Sequence, residues 1–368
     1  MLVWTLKRQN RINPQLYFLL TIINQLNNLK KKIITTLKLV IAFGIGIGII
    51  YLSLRDLTPK AKDDIISSFL LADYSWVVFS LFFGILSHLI RAQRWRMLLQ
   101  PMGYTTTLKN SFLAVMIGYF ANLGIPRSGE LARCTILYKE DKIPVDKSFG
   151  TVIIERTIDM IIFFSLFFLT FIVQFKRLNA YIEENIFPAL ENKFGFINNG
   201  DLFFKEVLGG VIIVFLITYF VFRKKLLQLA FVQKILKLFS GIWEGLKSIV
   251  NIKQPLLFIL YSLLIWLNYY LMIHMGLQAI PQTSGLGLGA TLSVLVLGSI
   301  GIMLTPGGIG LYPVIVAQTL VLYGISADSG YGDAIGWLTW SSQTIMIIVL
   351  GSISVLLISL KSKNKLSN

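Results

Sequence analysis

The sequence predicts an all-α polytopic membrane protein with six full spans plus two broken or re-entrant helical hairpins, arranged as an inverted-topology repeat. Three observations carry that expectation. Of the 368 residues, 55% are hydrophobic and only 14% charged, against about 25% charged in soluble domains, and the mean hydropathy is +0.71. Two apolar stretches, in corresponding places of the two halves, break at a proline. The run 111–125 stops at Pro126-Arg127-Ser128-Gly129-Glu130, and the run 288–304 stops at Thr305-Pro306-Gly307-Gly308-Ile309-Gly310. Charges flanking the apolar runs alternate between basic and acid-rich, as the positive-inside bias requires.

Taken in order, the chain opens with a basic arm, 1–36, carrying Lys7, Arg8, Arg11, Lys30, Lys31 and Lys32 without an acid. Its own apolar run is short and lacks a small-residue cleavage site, so the first span reads as an uncleaved anchor with a cytoplasmic N-terminus. A hydrocarbon core of about 30 Å needs roughly 20 apolar residues in a helix. The runs 38–54, 75–90, 148–175, 207–222, 255–274 and 334–360 qualify. The first connection sets Asp56, Asp63, Asp64 and Asp73 against Arg55, Lys60 and Lys62, and so lies outside. Arg91, Arg94, Arg96 and Lys109 return the chain to the cytoplasm. The connection 176–206 is again acid-rich and outside, whereas 223–254 reads as a basic amphipathic cytosolic segment. Asp328 and Asp333 are outside, and the tail 361–368 ends inside the cell.

This pattern closes only if 111–138 enters and leaves from the cytoplasmic side. A leg carrying Arg127, Glu130 and Arg133 is too polar to face lipid, so a re-entrant hairpin shielded by protein is the permitted form. By the same parity 288–325 enters and leaves from outside, as a hairpin or as two short spans. The transmembrane domain is therefore 37–360, with repeat one at about 37–175 and an oppositely oriented repeat two at about 207–360. The net charge of +16 lies in the flanks of spans, which argues against a nucleic-acid partner. Cys134 is the single cysteine, so no intrachain disulfide is available.

Ionisable residues inside spans cost about 2.5–3.5 kcal/mol each on insertion scales, so they mark function or pair with one another. Three groups stand out. His88, Arg91 and Trp95 share a helical face with Arg94 beside it, a fork geometry suited to phosphate oxygens; ordinary interfacial flanking is the alternative, and is preferred for Arg96 and Lys109. Asn122, Arg127, Glu130 and Arg133 surround the first break, where Pro126 and Gly129 free backbone groups and a helix start could receive an anion. There Glu130 is expected to pair with Arg127 or Arg133. Glu155 and Asp159 lie one turn apart and need a cation, supplied by Arg156 or by a hairpin arginine; a structural ion-pair lock is the competing reading. The second break brings no such charges, only Thr305, Pro306, Gly307, Gly308, Gly310 and Tyr312 as a turn or gate, with Trp337, Trp340, Ser341, Ser342 and Gln343 nearby. No Gly-Lys-Ser/Thr follows its glycines, so it is not a phosphate-binding P-loop. No catalytic constellation, metal-ligand cluster or cofactor site is visible.

At these residues the chain resembles the flippase-like family named after the transmembrane region of lysylphosphatidylglycerol synthases. The matching elements are Arg91-Ala-Gln-Arg94-Trp95-Arg96, Asn122-Leu-Gly-Ile-Pro126-Arg127-Ser-Gly129-Glu130-Leu-Ala-Arg133, Glu155-Arg156-Thr-Ile-Asp159 and Thr305-Pro306-Gly307-Gly308-Ile309-Gly310, spread over about 37–360. The resemblance implies a bacterial or archaeal inner-membrane protein. It further implies, as in the best-understood relatives, translocation of aminoacylated phospholipid between leaflets; the expected partners are membrane lipids, whether an anionic or aminoacylated phospholipid or a lipid-linked saccharide. The separate cytosolic domain that makes the aminoacylated lipid in relatives has no counterpart here, so synthase activity is not carried over. Many relatives place a glutamate soon after the Pro-Gly-Gly-x-Gly turn, where this chain has Tyr312-Pro313. The leading expectation is a lipid translocator whose head-group site is formed by Arg91, Arg94, Asn122, Arg127, Glu130, Arg133, Glu155, Arg156 and Asp159. The alternatives are a non-transporting membrane partner of a lipid or envelope-glycan biosynthetic enzyme, and an intramembrane enzyme using Glu155 and Asp159 as acid and base. A second copy of the chain and a biosynthetic enzyme are open as protein partners.

Overall fold

Helices account for every regular element among the described residues. The structure is a computed structural model that describes residues 58–125, 127–181 and 252–366, with the isolated positions 47, 48, 51, 55 and 183. The expected spans 38–54 and 207–222 fall almost wholly outside these residues, as does most of the basic segment 223–254. Helix α1, Pro59–Leu71, occupies the expected outer connection. It starts where the sequence directs, with Pro59 in its first turn and the Thr58 hydroxyl accepting from the Ala61 amide at 3.1 Å.

Four helices are long and apolar enough to cross a membrane: Tyr74–Met102, Val145–Val173, Pro255–Leu277 and Tyr331–Lys361. They contain α2 (Tyr74–Leu99), α5 (Val145–Val173) and α7 (Pro255–Leu277), with the fourth lying in the longer α11 (Tyr331–Leu366). The protein is therefore a multi-pass helical membrane protein. Their outer faces are what lipid requires, with Phe82, Phe168, Leu263 and Leu356 all exposed. The expected span 75–90 is too short at its C-terminal end. Helix α2 runs on unbroken past Arg91 and Arg94 to Leu99 because both arginines are buried and paired, so no polar break ends it.

Between the long helices sit two helix pairs. Helices α3 (Leu108–Gly124) and α4 (Gly129–Asp141) form the first. Asp141 pins its open end, accepting from Asn110 Nδ2 at 2.7 Å and from the Thr106 hydroxyl at 2.6 Å. After the short helices α6 (Phe175–Tyr181) and α8 (Pro281–Ser284), helices α9 (Leu288–Leu304) and α10 (Leu311–Val321) form the second pair. At 1.5 Å per residue, α9 is about 26 Å long and α10 about 16 Å, both short of a bilayer core. Between them, Pro306–Gly308 makes a tight turn in which Gly307 has φ 60°, a region in which side chains are disfavoured.

The two turns meet. A Cβ placed on Gly307 would lie 3.0 Å from Leu123 Cδ2, near the end of α3, and Trp340 Nε1 on α11 donates to the Gly307 carbonyl at 2.8 Å. Trp340→Phe is expected to cost about 1 kcal/mol, the net worth of a typical hydrogen bond, and an unchanged melting temperature in detergent would show that this contact does not hold the turn. Buried apolar residues of α2, α7, α9, α10 and α11 form the main core, including Ile273, Leu277, Val294, Leu320 and Ile335. A second core, with Trp95, Leu99, Cys134, Leu137 and Val152, fixes the first pair against α2 and α5.

Candidate functional site: a buried arginine–carboxylate centre

Helices α2, α4, α5 and α7 each send polar side chains to one buried point. Arg91 and Arg94 lie near the end of α2, three residues apart and so on one side of the helix. Arg133 comes from the second turn of α4. Glu155 and Asp159 lie one turn apart on α5, Glu155 ten residues into that helix and about 15 Å from its start by the helical rise. All five are at most 7% exposed, and Arg94 and Glu155 are wholly buried.

The pairing is dense. Arg91 Nη1 reaches Glu155 Oε1 at 2.5 Å and Asp159 Oδ2 at 2.7 Å. Arg94 Nη1 reaches Asp159 Oδ1 at 2.7 Å, and its Nη2 lies 3.3 Å from Glu155 Oε1. Arg133 Nη2 reaches Glu155 Oε2 at 2.9 Å. Helix α7 adds two hydroxyls: Ser262 Oγ accepts from Arg94 Nη1 at 3.0 Å and Tyr269 from Arg91 Nη2 at 3.2 Å. Aromatic rings back the cations. Arg133 stacks 4.5 Å from the Trp95 ring, whose Nε1 donates to Thr151 at 2.9 Å, and Arg94 lies 5.7 Å from the Phe258 ring. The His88 ring packs on Tyr119 at 4.5 Å. At this centre five buried nitrogens have no hydrogen-bond partner among the described residues: Nε of Arg91, Arg94 and Arg133, Nη2 of Arg94, and Nδ1 of His88.

The remaining expected site residues lie around this centre. Glu130 pairs with Arg156 at 2.8 Å, which corrects the expected partners Arg127 and Arg133. One turn of α4 separates Glu130 from Arg133, so each finds its own partner on the adjoining turn of α5. Of the two cations expected for Glu155 and Asp159 the hairpin arginine is the one found: Arg133 reaches Glu155, Arg91 and Arg94 engage both acids, and Arg156 is engaged by Glu130. Asn122 acts on the backbone, its Oδ1 accepting from the Gly129 amide at 2.7 Å at the start of α4. Arg127 is exposed, outside the ion network, and has φ 63°. A non-glycine residue in that region costs about 1–2 kcal/mol, so the turn keeps a charged side chain where glycine would relieve strain. Pro126 lies outside the described residues.

At the second turn, the Thr305 hydroxyl bonds its own helix at Gly301, and Pro306, Gly307, Gly308 and Gly310 form the reversal. The Tyr312 ring fills the space over Gly298, and its backbone lies against Gly301. Arg96 donates to Gln93 and to the Thr106 carbonyl, consistent with a flanking role. Ser262 and Tyr269 were missed at the sequence level; their spacing of seven puts them on one face of an otherwise apolar helix, and that was the available signal.

An open groove of about 350 Å³ runs along the first helix pair, lined by Ile117, Ser128, Leu131, Ala132, Thr135 and Ile136. Its lining is mainly apolar and includes Ser128, the residue after the charged turn. The result is a charge-paired polar centre inside a helical membrane bundle that also holds two shortened helix pairs.

Sequence comparisons assign the chain to a family of membrane proteins. The chain belongs to the family described as the lysylphosphatidylglycerol synthase TM region, whose profile matches residues 37–351. It is similar to the UPF0104 membrane protein MJ1595 of Methanocaldococcus jannaschii, 34% identical over 114 residues, 30% of this chain. The match spans about a third of that curated relative, 33% of its length. No solved structure matches the chain.

Proposed function

We propose that this protein translocates a phospholipid or lipid-linked substrate across the inner membrane, with six full spans, cytoplasmic termini and two re-entrant hairpins related as an inverted repeat. The head group is held by arginines near the first hairpin, and the two touching turns act as opposed gates. The observation that carries this reading is the buried centre, where three arginines outnumber two carboxylates at the meeting point of four helices. A purely structural lock needs matched charges, because an uncompensated buried charge costs several kcal/mol. The apolar groove along the first helix pair offers a surface for an acyl chain. Neither Glu155 nor Asp159 has a carboxylate oxygen free of an arginine, which disfavours a role as general base.

Arg127 is the cleanest probe, since it is exposed and outside the network. Arg127→Ala is expected to slow leaflet transfer of a labelled phospholipid in proteoliposomes by at least about tenfold, a loss of roughly 1.4 kcal/mol of stabilisation along the path. Its melting temperature should stay close to that of the unmutated protein. Equal transfer by the two would remove Arg127 from the path. Absence of transfer by the unmutated protein would favour the alternative, a membrane partner of a lipid or envelope-glycan biosynthetic enzyme.

A further inference from the structure

Among the described residues, the buried centre carries a surplus of charge that its own groups cannot relieve. Three guanidinium groups, Arg91, Arg94 and Arg133, face two carboxylates, Glu155 and Asp159; three positive charges less two negative leaves one positive. Arginine does not deprotonate in proteins. The neighbouring Glu130–Arg156 pair is neutral, and Arg127 adds a positive charge at the turn. All four carboxylate oxygens of the centre are occupied: Glu155 Oε1 by Arg91 and Oε2 by Arg133, Asp159 Oδ1 by Arg94 and Oδ2 by Arg91. The unpartnered buried groups of these arginines are N–H donors. Glu130 Oε2 also lacks a hydrogen-bond partner, but it belongs to an acid whose charge Arg156 already cancels.

We infer that the site selects lipids whose head group carries a single phosphodiester charge and no ammonium, such as a polyol or sugar joined through a phosphodiester. One phosphodiester brings the centre to neutrality, and its non-bridging oxygens suit guanidinium N–H donors. An ethanolamine or lysyl head group would bring a cation among three arginines, where the carboxylate oxygens of Glu155 and Asp159 are already taken by guanidinium groups. An uncharged glycosyl lipid would leave the surplus in place. This inference rests on the head-group reading above and narrows it to one charge class.

The test is binding of four short-chain lipids to the purified full chain in detergent: phosphatidylglycerol, phosphatidylethanolamine, lysyl-phosphatidylglycerol and a glycosyl diacylglycerol. It is run at about 0.5 M salt, where surface attraction to the basic flanks is largely screened and a buried site much less so. The dissociation constant for phosphatidylglycerol is expected to be at least about tenfold below those of the other three. Two variants bring the centre to neutrality by opposite routes: Arg133→Gln removes a cation, and Ser262→Asp adds a carboxylate beside Arg94. Whichever of them folds should lose the preference. Equal binding of all four lipids, tighter binding of the lysyl lipid, or a preference that survives neutralisation would overturn the inference. Transfer in proteoliposomes is read separately. Selective binding without transfer supports the charge-class inference and removes the translocator reading, whereas unselective transfer does the reverse.

Discussion

Glu155→Ala should destabilise the protein by about 3–5 kcal/mol, the range for breaking a buried ion pair from one side. Glu155 is wholly buried and touches three guanidinium groups, at 2.5 Å to Arg91, 2.9 Å to Arg133 and 3.3 Å to Arg94. Its loss leaves Asp159 alone against three arginines. Because the cost arises from uncompensated charge more than from lost contact, removing one arginine as well should recover part of it. Arg133→Met combined with Glu155→Gln restores the original surplus of one, and Arg133 lies against the Trp95 ring, where a methionine can pack. The double variant is expected to be more stable than the sum of its single changes predicts, by about 1–3 kcal/mol in a double-mutant cycle. Denaturation in mild detergent measures all four proteins. Changes that add to within about 0.5 kcal/mol would mean that the two residues are not coupled. If Arg133 holds the head group as proposed, leaflet transfer should stay low in the double variant even where stability returns.

The architecture was legible where one physical constraint dominates. Apolar runs of sufficient length gave the long helices α2, α5, α7 and α11, since a bilayer crossing leaves little freedom in composition and length. Their ends were less legible. The span containing Arg91 was ended too early because hydropathy treats every arginine as leaving the membrane, whereas one neutralised by Glu155 and Asp159 stays buried inside a continuing helix. The second leg of the first hairpin was recognisable from Pro126, Gly129 and its polar residues, but sequence separation concealed the pairing. Glu130 and Arg133 are close in sequence and expected to pair; in space each faces α5, where Arg156 and Glu155 are its partners.

The centre itself was half legible. Charged residues in apolar surroundings announce themselves, so Arg91, Arg94, Arg133, Glu155 and Asp159 could be named before any geometry was known. They were expected together in one site, but which of them pair within it could not be derived, since they come from three separate helices. Hydroxyls carry a weaker signal. Serines and tyrosines are common in membrane helices, so Ser262 and Tyr269 gained meaning only once Arg94 and Arg91 were beside them.

Gly129→Ala should be the most damaging single-methyl addition in the first hairpin. A Cβ on Gly129 would lie 2.1 Å from the Gly118 carbonyl oxygen and 2.6 Å from Asn122 Nδ2. The asparagine can rotate away, though it then gives up its bond to the Gly129 amide; the carbonyl is backbone and cannot. The legs of the hairpin must separate by roughly an ångström to reach an ordinary contact, and overpacking of that kind costs about 3 kcal/mol or more. Small residues that let backbones approach are a main source of helix association in membranes, where no hydrophobic force between helices compensates. The reverse contact is milder, with a Cβ on Gly118 meeting the Gly129 carbonyl at 2.9 Å, and Gly124 has open space around it. Alanine at 129, 118 and 124 should therefore lower the melting temperature in that descending order, with position 124 near neutral. Arg133 lies one turn beyond Gly129 on α4, so separating the legs also pulls its guanidinium from Glu155. Transfer should fall with stability at position 129 and stay intact at 124. If alanine were tolerated equally at all three, the backbone contact between α3 and α4 could not be what holds Arg133 against Glu155.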